Sequence, residues 1–157
     1  MIRSITSDDA SAVVALAVAS ELFPPEEAGF VEGALGAFFA DSSADGRTWV
    51  VDEVDGELVG AAYYEPLAAA DRGWELLMIG VRRDHHRQGR GSALLRHVEQ
   101  DLRGRGQRLL LVQTSATPAF DRARAFYLAS GYDEEARVRD YFADGDDMVL
   151  FRKALPA

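Results

Sequence analysis

The sequence predicts an α/β protein, a three-layer α-β-α sandwich around a mixed, mostly antiparallel twisted sheet. Segments with helical periodicity alternate with short apolar runs, in the order β-α-α-β-β-β-α-β-α-β-β. The stretch 75–114 has the spacing of a βαβ unit, which requires two parallel strands. Compact turn signals at 54–56 and 143–146 predict antiparallel hairpins.

Length and composition predict one domain, 1–157, with a single core. No apolar run approaches the roughly 20 residues of a membrane span, and the N-terminus lacks the basic-then-apolar pattern of a signal peptide. The sequence contains no cysteine, which excludes disulfides, a thiol nucleophile and a thiolate metal site. We therefore expect a cytoplasmic protein that does not bind membranes.

The charge distribution points away from nucleic acid. Net charge is −9 and the pI about 4.8, so we expect no nucleic-acid partner, whereas a cationic amine substrate is favoured. Against this acidic background, four arginines form a local basic island: Arg82, Arg83, Arg87 and Arg90.

The N-terminal half is predicted to contain two helices between strands. Alternation over 2–6 predicts the first strand, and the hydroxyls and acids of 6–9 predict a helix start. A second helix is expected over 26–40, with an apolar stripe that we assign to core packing: Val31, Leu35, Phe38 and Phe39.

Further elements follow from the same signals. Strands are predicted over 48–53, 57–65, 75–81, 108–113, 132–141 and 147–152. Helices are predicted from Gly91 to about Leu102, and from Thr117 to about Ala129.

The stretch 74–102 organises the chain. A buried strand leads through a basic turn to Gly89 and Gly91, where a helix begins. The first turn of a helix has backbone N–H groups without intrahelical partners and carries partial positive charge. Glycine has no Cβ to keep an oxyanion away from the backbone. The stretch therefore predicts a phosphate or pyrophosphate site.

Two other glycine-rich nucleotide motifs are disfavoured. A Walker A loop needs Gly-Lys-Ser/Thr, but the only lysine of the chain is Lys153. A dinucleotide fingerprint needs a third glycine where Leu94 stands, and an acid after the next strand, 108–114, which is missing.

Segment 75–95 resembles the acetyl-coenzyme A signature of the GNAT-type N-acetyltransferases, a strand ending Ile-Ala-Val and then Arg/Gln-x-x-Gly-x-Gly/Ala opening a helix. Here the strand ends IGV, and the run 86–95 reads HRQGRGSALL. His86 stands where Arg or Gln is usual, at a position that works in the family chiefly through its backbone. The resemblance implies acetyl-CoA as cosubstrate and no metal. It implies these cofactor-binding residues: Ile79, Gly80, Val81, Arg87, Gln88, Gly89, Arg90, Gly91, Ser92 and Ala93.

Segment 123–132 resembles the second signature of that family, Asn-x-x-Ala-x-x-Phe-Tyr-x-x-x-Gly-Phe, although the asparagine falls on Phe120. The resemblance implies that Tyr127 lies near the thioester sulfur and is catalytic, protonating the leaving thiolate or only bonding to it. A phenol of pKa near 10 can protonate a thiolate whose thiol has a pKa near 8.5. The alternative is a core tyrosine on an amphipathic helix.

A general base is harder to assign. Glu75 is the catalytic candidate, because apolar neighbours raise a carboxyl pKa; its alternative is the solvent-exposed first residue of a strand. Glu65 is the next candidate, and a water relay without a dedicated base stays open. By resemblance, Glu21 and Phe23 are substrate candidates.

The remaining polar groups predict no further site. The three histidines are too few and poorly spaced to bind a metal ion. The run 144–147 lacks the ligands of a calcium loop and is expected to be a turn beside the acceptor pocket.

The hypothesis that follows is an acetyl-CoA-dependent N-acetyltransferase acting directly on a primary amine of a small molecule, as a monomer or homodimer. Two alternatives stay open. One is a non-catalytic acyl-CoA-binding module of the same fold, and the other is an enzyme acting on protein N-termini or lysines.

Overall fold

The computed structural model describes residues 1–19, 28–41 and 46–157. The seven strands of its single sheet are β1 Ile2–Ser4, β2 Thr48–Val54, β3 Glu57–Pro66, β4 Gly73–Val81, β5 Leu109–Ser115, β6 Asp133–Ala143 and β7 Asp146–Ala154. The α-helices of the described part are α1 Ala10–Ala19, α2 Ala28–Ala40, α3 Arg90–Gly104 and α4 Asp121–Ala129. Their order along the chain is the predicted one.

The sheet is mixed and mostly antiparallel, in the order β1-β2-β3-β4-β5-β7-β6. Only β4 and β5 run parallel, because helix α3 connects them. The remaining neighbours pair antiparallel. The predicted βαβ unit and both hairpins are therefore confirmed.

Helices pack on both faces of the sheet, which confirms the three layers. On one face, α1 and α2 bury a cluster that includes Val13, Leu16, Val31, Leu35, Trp49, Tyr63 and Met78. On the other, α3 and α4 bury Leu76, Leu94, Leu95, Val98, Leu110, Tyr127 and Phe151 among others. One member of the predicted α2 stripe was wrongly assigned to the core: Phe39 is 37% exposed and packs edge-on against Phe38.

An ion pair to a buried carboxylate joins three elements on the α3 side. The Lys153 ammonium of β7 donates to Glu99 of α3 and to the Ser130 carbonyl after α4, each at 2.9 Å. Tyr132 donates its hydroxyl to the other oxygen of Glu99 at 2.9 Å. Glu99 is 4% exposed, so these donors satisfy a carboxylate that burial would otherwise destabilise.

β4 begins two residues earlier than predicted, at Gly73. Trp74 is buried, and its Nε1 donates to Gln107 at 2.9 Å, which fixes this end of the strand beside the end of α3. Glu75 is consequently the third residue of β4, and it is half-buried rather than the solvent-exposed start of a strand.

The sheet splits into two halves between β4 and β5. β4 and β5 pair only from Gly73–Leu109 to Leu76–Val112. Beyond that point β4 stays with β3 through Val81, while β5 stays with β7 through Ser115. A bulge at Leu77, where the β3–β4 register shifts, coincides with the parting. The upper half of β4 therefore has a backbone edge that no strand in the described part of the chain covers.

Candidate active site

The N-terminus of α3 is uncapped. Gly89 is the N-cap residue, in the left-handed region with φ 74°, and supplies no side-chain cap. The first intrahelical bond runs from the Ala93 N–H to the Gly89 carbonyl at 2.9 Å. The N–H groups of Gly89, Arg90, Gly91 and Ser92 therefore point out of the helix without helical acceptors. Together with the helix dipole they form an anion site.

The two glycines keep this site open. A Cβ at Gly89 would meet nothing within 4 Å, and at Gly91 it would be 3.6 Å from the Phe126 ring and 3.9 Å from Val81. Phe126 of α4 and Val81 of β4 thus form a wall beside the helix start. A small side chain would therefore fit at position 91. With glycine there, a ligand can occupy that space.

Two members of the basic island are already paired with carboxylates. Arg82 contacts Asp84 at 2.6 Å and Glu57 at 3.3 Å, and Arg90 contacts Asp52 at 2.8 Å. Arg87 is exposed, with a positive φ of 62°, and forms no ion pair with the part of the chain that the structure describes. The positive charge available to a ligand is therefore smaller than four arginines suggest.

Backbone groups of the upper half of β4 face the gap between the sheet halves. The Arg82 N–H donates to the Val59 carbonyl of β3 at 2.8 Å. Because successive residues of an antiparallel strand point their N–H groups to opposite sides, those of Val81 and Ile79 point away from β3. The side chain of His86 also reaches this edge, since its Nε2 donates to the Val81 carbonyl at 2.7 Å. From the sequence, this position was expected to act chiefly through its backbone.

Tyr127 is buried on α4. Its ring packs against Phe126, Tyr132 and Phe151 with centroid distances of 5.3, 5.8 and 5.4 Å. Within the described ranges its hydroxyl has no hydrogen-bond partner, and burial alone raises its pKa above the usual value. The hydroxyl is therefore protonated near neutral pH and has a proton to donate.

Glu65 and Glu75 lie opposite each other on β3 and β4. Burial, and then the charge of Glu65, raises the pKa of Glu75 above its ordinary 4.5. Tyr63 donates its hydroxyl to Glu65 at 2.7 Å. A half-buried carboxylate with a raised pKa is a better proton acceptor than an exposed one.

Similarity to known proteins agrees with this geometry. The family model "Acetyltransferase (GNAT) family" matches residues 15–132, about three quarters of the chain. The chain belongs to the GNAT acetyltransferase family.

Individual relatives vary in how much of the chain they cover. A GNAT-family structure from Desulfovibrio desulfuricans is 29% identical, with a TM-score of 0.94 over 99% of both chains. The amino-acid acetyltransferase of Pseudomonas aeruginosa is 33% identical over 78 residues, which span half of this chain and 18% of that protein. An aminoglycoside 6'-N-acetyltransferase complexed with coenzyme A shares the fold, with a TM-score of 0.78 over 100% of this chain and 98% of that one, and 17% identity.

The structure brings most predicted site residues of this GNAT protein together. The strand positions Ile79, Gly80 and Val81 lead into the turn and helix start formed by Arg87, Gln88, Gly89, Arg90, Gly91, Ser92 and Ala93. Tyr127 lies one residue beyond Phe126, which covers the Gly91 position. Glu21 and Phe23 lie outside the described residues.

The hairpin turn predicted at 144–147 is confirmed between β6 and β7, where Asp144 and Gly145 form the turn and Asp146 and Asp147 begin β7. Asp147 accepts from the Asp140 N–H and from Arg137, each at 2.9 Å, and Asp146 accepts from the Ser115 hydroxyl at 2.6 Å. These side chains thus hold the hairpin.

Over residues 1–19, 28–41 and 46–157, no three His, Asp or Glu side chains cluster as metal ligands would.

None of the described helices is long and apolar enough to cross a membrane.

Proposed function

We propose that this GNAT protein transfers the acetyl group of acetyl-CoA directly to a primary amine of a small molecule. The observations that support the proposal are the gap between β4 and β5, the uncapped start of α3, and the buried side chain of Tyr127, whose neighbour Phe126 packs beside Gly91. Coenzyme A in the aminoglycoside 6'-N-acetyltransferase of the same fold supports it.

The predicted cofactor-binding residues suit an elongated ligand that carries a diphosphate. The N–H groups of Gly89 to Ser92 would hold its pyrophosphate, and the exposed Arg87 adds a screened charge. Arg90 contributes through its backbone, because Asp52 engages its guanidinium. The uncovered edge at Ile79 and Val81 would pair with the amides of the pantetheine arm, as an added strand does.

The acceptor amine must lose a proton before it attacks. Glu75 would accept that proton, directly or through a water molecule, because burial and then the charge of Glu65 raise its pKa. The N–H groups that face the gap would stabilise the charge that develops on the carbonyl oxygen. As the C–N bond forms and the C–S bond breaks, Tyr127 would donate its proton to the departing sulfur. Acetyl-CoA supplies the activated acyl group.

Direct transfer is favoured over an acyl-enzyme intermediate. The chain has no cysteine, and no serine stands in a Gly-x-Ser-x-Gly nucleophile motif. The acidic chain also favours a cationic acceptor.

Thiol release tests the proposal. The purified protein is incubated with acetyl-CoA and a panel of amines, polyamines, amino acids, aminoglycosides and peptides, and free thiol is measured over time. We expect release that depends on one class of amine. Calorimetry run in parallel separates two failures: acetyl-CoA binding without release by any acceptor would favour the non-catalytic module, and absence of binding would refute the cofactor site itself.

A further inference from the structure

A small pocket lies beside the two facing glutamates, on the α2 side of the sheet. We call it the α2 pocket; its volume is about 170 Å³. It is lined by Phe30, Val31, Ala34, Trp49, Tyr63, Glu65, Leu77 and Met78. Two of these, Leu77 and Met78, directly precede Ile79, whose backbone faces the gap between the sheet halves. The pocket is therefore next to the proposed site of acetyl transfer.

The size and lining of the α2 pocket suit a single ring. Three aromatic side chains and several aliphatic ones contribute, and apolar cavities of about 150 Å³ hold one benzene molecule. Trp49 and Tyr63 pack edge-to-face at 4.5 Å, so the aromatic wall is fixed before a ligand enters. A pocket of this kind binds a rigid apolar body better than a flexible polar chain.

One polar group in the lining has no partner. Trp49 is 2% exposed, yet its indole N–H finds no acceptor among the described residues. Buried indole N–H groups are nearly always hydrogen-bonded, because an unpaired one loses the bond it had with water. Trp74, the other tryptophan of the chain, follows that rule by donating to Gln107. A ligand in the pocket whose acceptor atom reached this N–H would supply the missing hydrogen bond.

The charges at the pocket are negative. Glu65 lines it, Glu75 faces Glu65 across the strands, and no lysine or arginine belongs to the part of the lining that the structure describes. These carboxylates attract a protonated amine and repel a carboxylate held next to that amine. A free amino acid brings such a carboxylate.

We propose that the α2 pocket selects the amine substrate. This substrate is a primary amine with no carboxylate next to its amino group. It carries one apolar group the size of a single ring, with a hydrogen-bond acceptor for the indole N–H of Trp49. This inference rests on the proposed function for its chemistry, since it names the substrate class of the same site. It assigns to Trp49 a role in specificity.

Three matched amines test the proposal: tyramine, phenethylamine, which lacks the hydroxyl, and tyrosine, which adds a carboxylate. We expect kcat/KM for tyramine to exceed that for phenethylamine about 3- to 10-fold, the range of one net hydrogen bond. Tyrosine should be at least about tenfold poorer than tyramine, and Glu65→Gln should narrow that difference. Spermidine, with no ring, should be poorer than tyramine.

Two tryptophan variants form the control pair. Trp49→Phe keeps an aromatic ring and removes the N–H, so the tyramine-to-phenethylamine ratio should fall to about 1. Trp74→Phe removes an N–H that is already satisfied on the opposite face, so the ratio should persist. A melting temperature for each variant shows that it is folded. Equal kcat/KM for the two amines in the wild type, or a preference that survives Trp49→Phe, would overturn the proposal.

A binding measurement keeps this test separate from catalysis. In Trp74→Phe, Trp49 is the only tryptophan, so its fluorescence reports on the α2 pocket alone. Titration in the presence of coenzyme A should give the affinity order tyramine, phenethylamine, tyrosine. That order without thiol release would refute the proposed function but support the pocket's selectivity. Thiol release with other amines, together with no response to tyramine, would support the function and refute this inference.

Discussion

The guanidinium of Arg90 lies 2.8 Å from the carboxylate of Asp52, which is 38 residues away and 3% exposed at its side chain. The bond ties the first turn of α3 to β2. It makes Arg90 part of the fold, whereas the exposed Arg87 in the preceding turn remains available to a ligand.

Removal of the positive charge should therefore act differently at the two arginines. Arg87→Glu should weaken acetyl-CoA binding in low salt and have less effect at high salt, because an exposed contact is screened. Arg90→Gln should instead lower the free energy of unfolding by about 1.5–3 kcal/mol, the usual contribution of a hydrogen bond to a charged group. Calorimetry at two salt concentrations and urea denaturation check the pair. Equal salt-dependent losses of affinity in both variants would contradict this division.

Gly91→Asp should abolish acetyl-CoA binding. Its Cβ would fit, since the nearest atom lies 3.6 Å away, but its carboxylate would repel an anion at the helix start. Gly104→Asp makes the same charge change at the other end of α3, where a Cβ meets nothing within 4 Å, and is the control. Calorimetry should show lost affinity in the first variant only, with both folded by circular dichroism. Retained affinity in Gly91→Asp would remove the anion site from this helix.

Tyr127→Phe should lower kcat about 100-fold or more while leaving acetyl-CoA affinity nearly constant, because the hydroxyl acts only as the thiolate forms. Stability should change little, since that hydroxyl has no hydrogen bond in the described part of the chain. Tyr132→Phe provides the contrast: it removes the bond to buried Glu99, so stability should fall and kcat should not. Full kcat in Tyr127→Phe, measured by thiol release, would return Tyr127 to a packing role.

The raised pKa of Glu75 predicts a pH dependence of stability. Well below pH 4.5 the carboxyl is protonated in both the folded and the unfolded chain, so its ionisation does not change the free energy of unfolding. As pH rises past 4.5, the unfolded chain releases its proton first, so the wild type loses stability until the pH exceeds the folded pKa. Glu75→Gln should escape that loss and become more stable relative to the wild type across this window. Urea denaturation at pH 4 and at pH 8 measures the difference.

The same carboxyl should shape activity. kcat/KM should fall as pH decreases through the pKa of Glu75, because the protonated acid cannot accept a proton. Glu65→Gln removes the neighbouring charge that helps to raise this pKa, so the acidic limb of the profile should move to lower pH. An acidic limb that survives in Glu75→Gln would show that another group is the base.

Local patterns predicted the elements well. Helical periodicity after Gly91, and compact hairpin turns at 54–56 and 143–146, are properties of neighbouring residues, and the structure has these elements close to the predicted bounds. The βαβ spacing likewise predicted the one parallel pair.

What the sequence could not predict depends on residues far apart in the chain. Nothing near Arg90 signals that Asp52 would pair with it, and a basic turn looks the same whether its charges are free or engaged. The early start of β4 places Glu75 within the strand and not at its first position. Its pairing with Glu65 depends on the register between β3 and β4, which is set by residues far apart in the chain. The unpaired indole of Trp49 could not be found either, since an absent partner is a property of the packed structure.

Lys153 has a consequence for a protein proposed to acylate amines. It is the only lysine in the sequence, and its nitrogen donates to Glu99 and Ser130 beneath the ring of Tyr132. An ammonium engaged in this way has no lone pair with which to attack a thioester. The chain therefore offers its own acyl donor no free lysine side chain. Incubated with that donor, it should acquire no lysine-linked acetyl group detectable by mass spectrometry of its peptides.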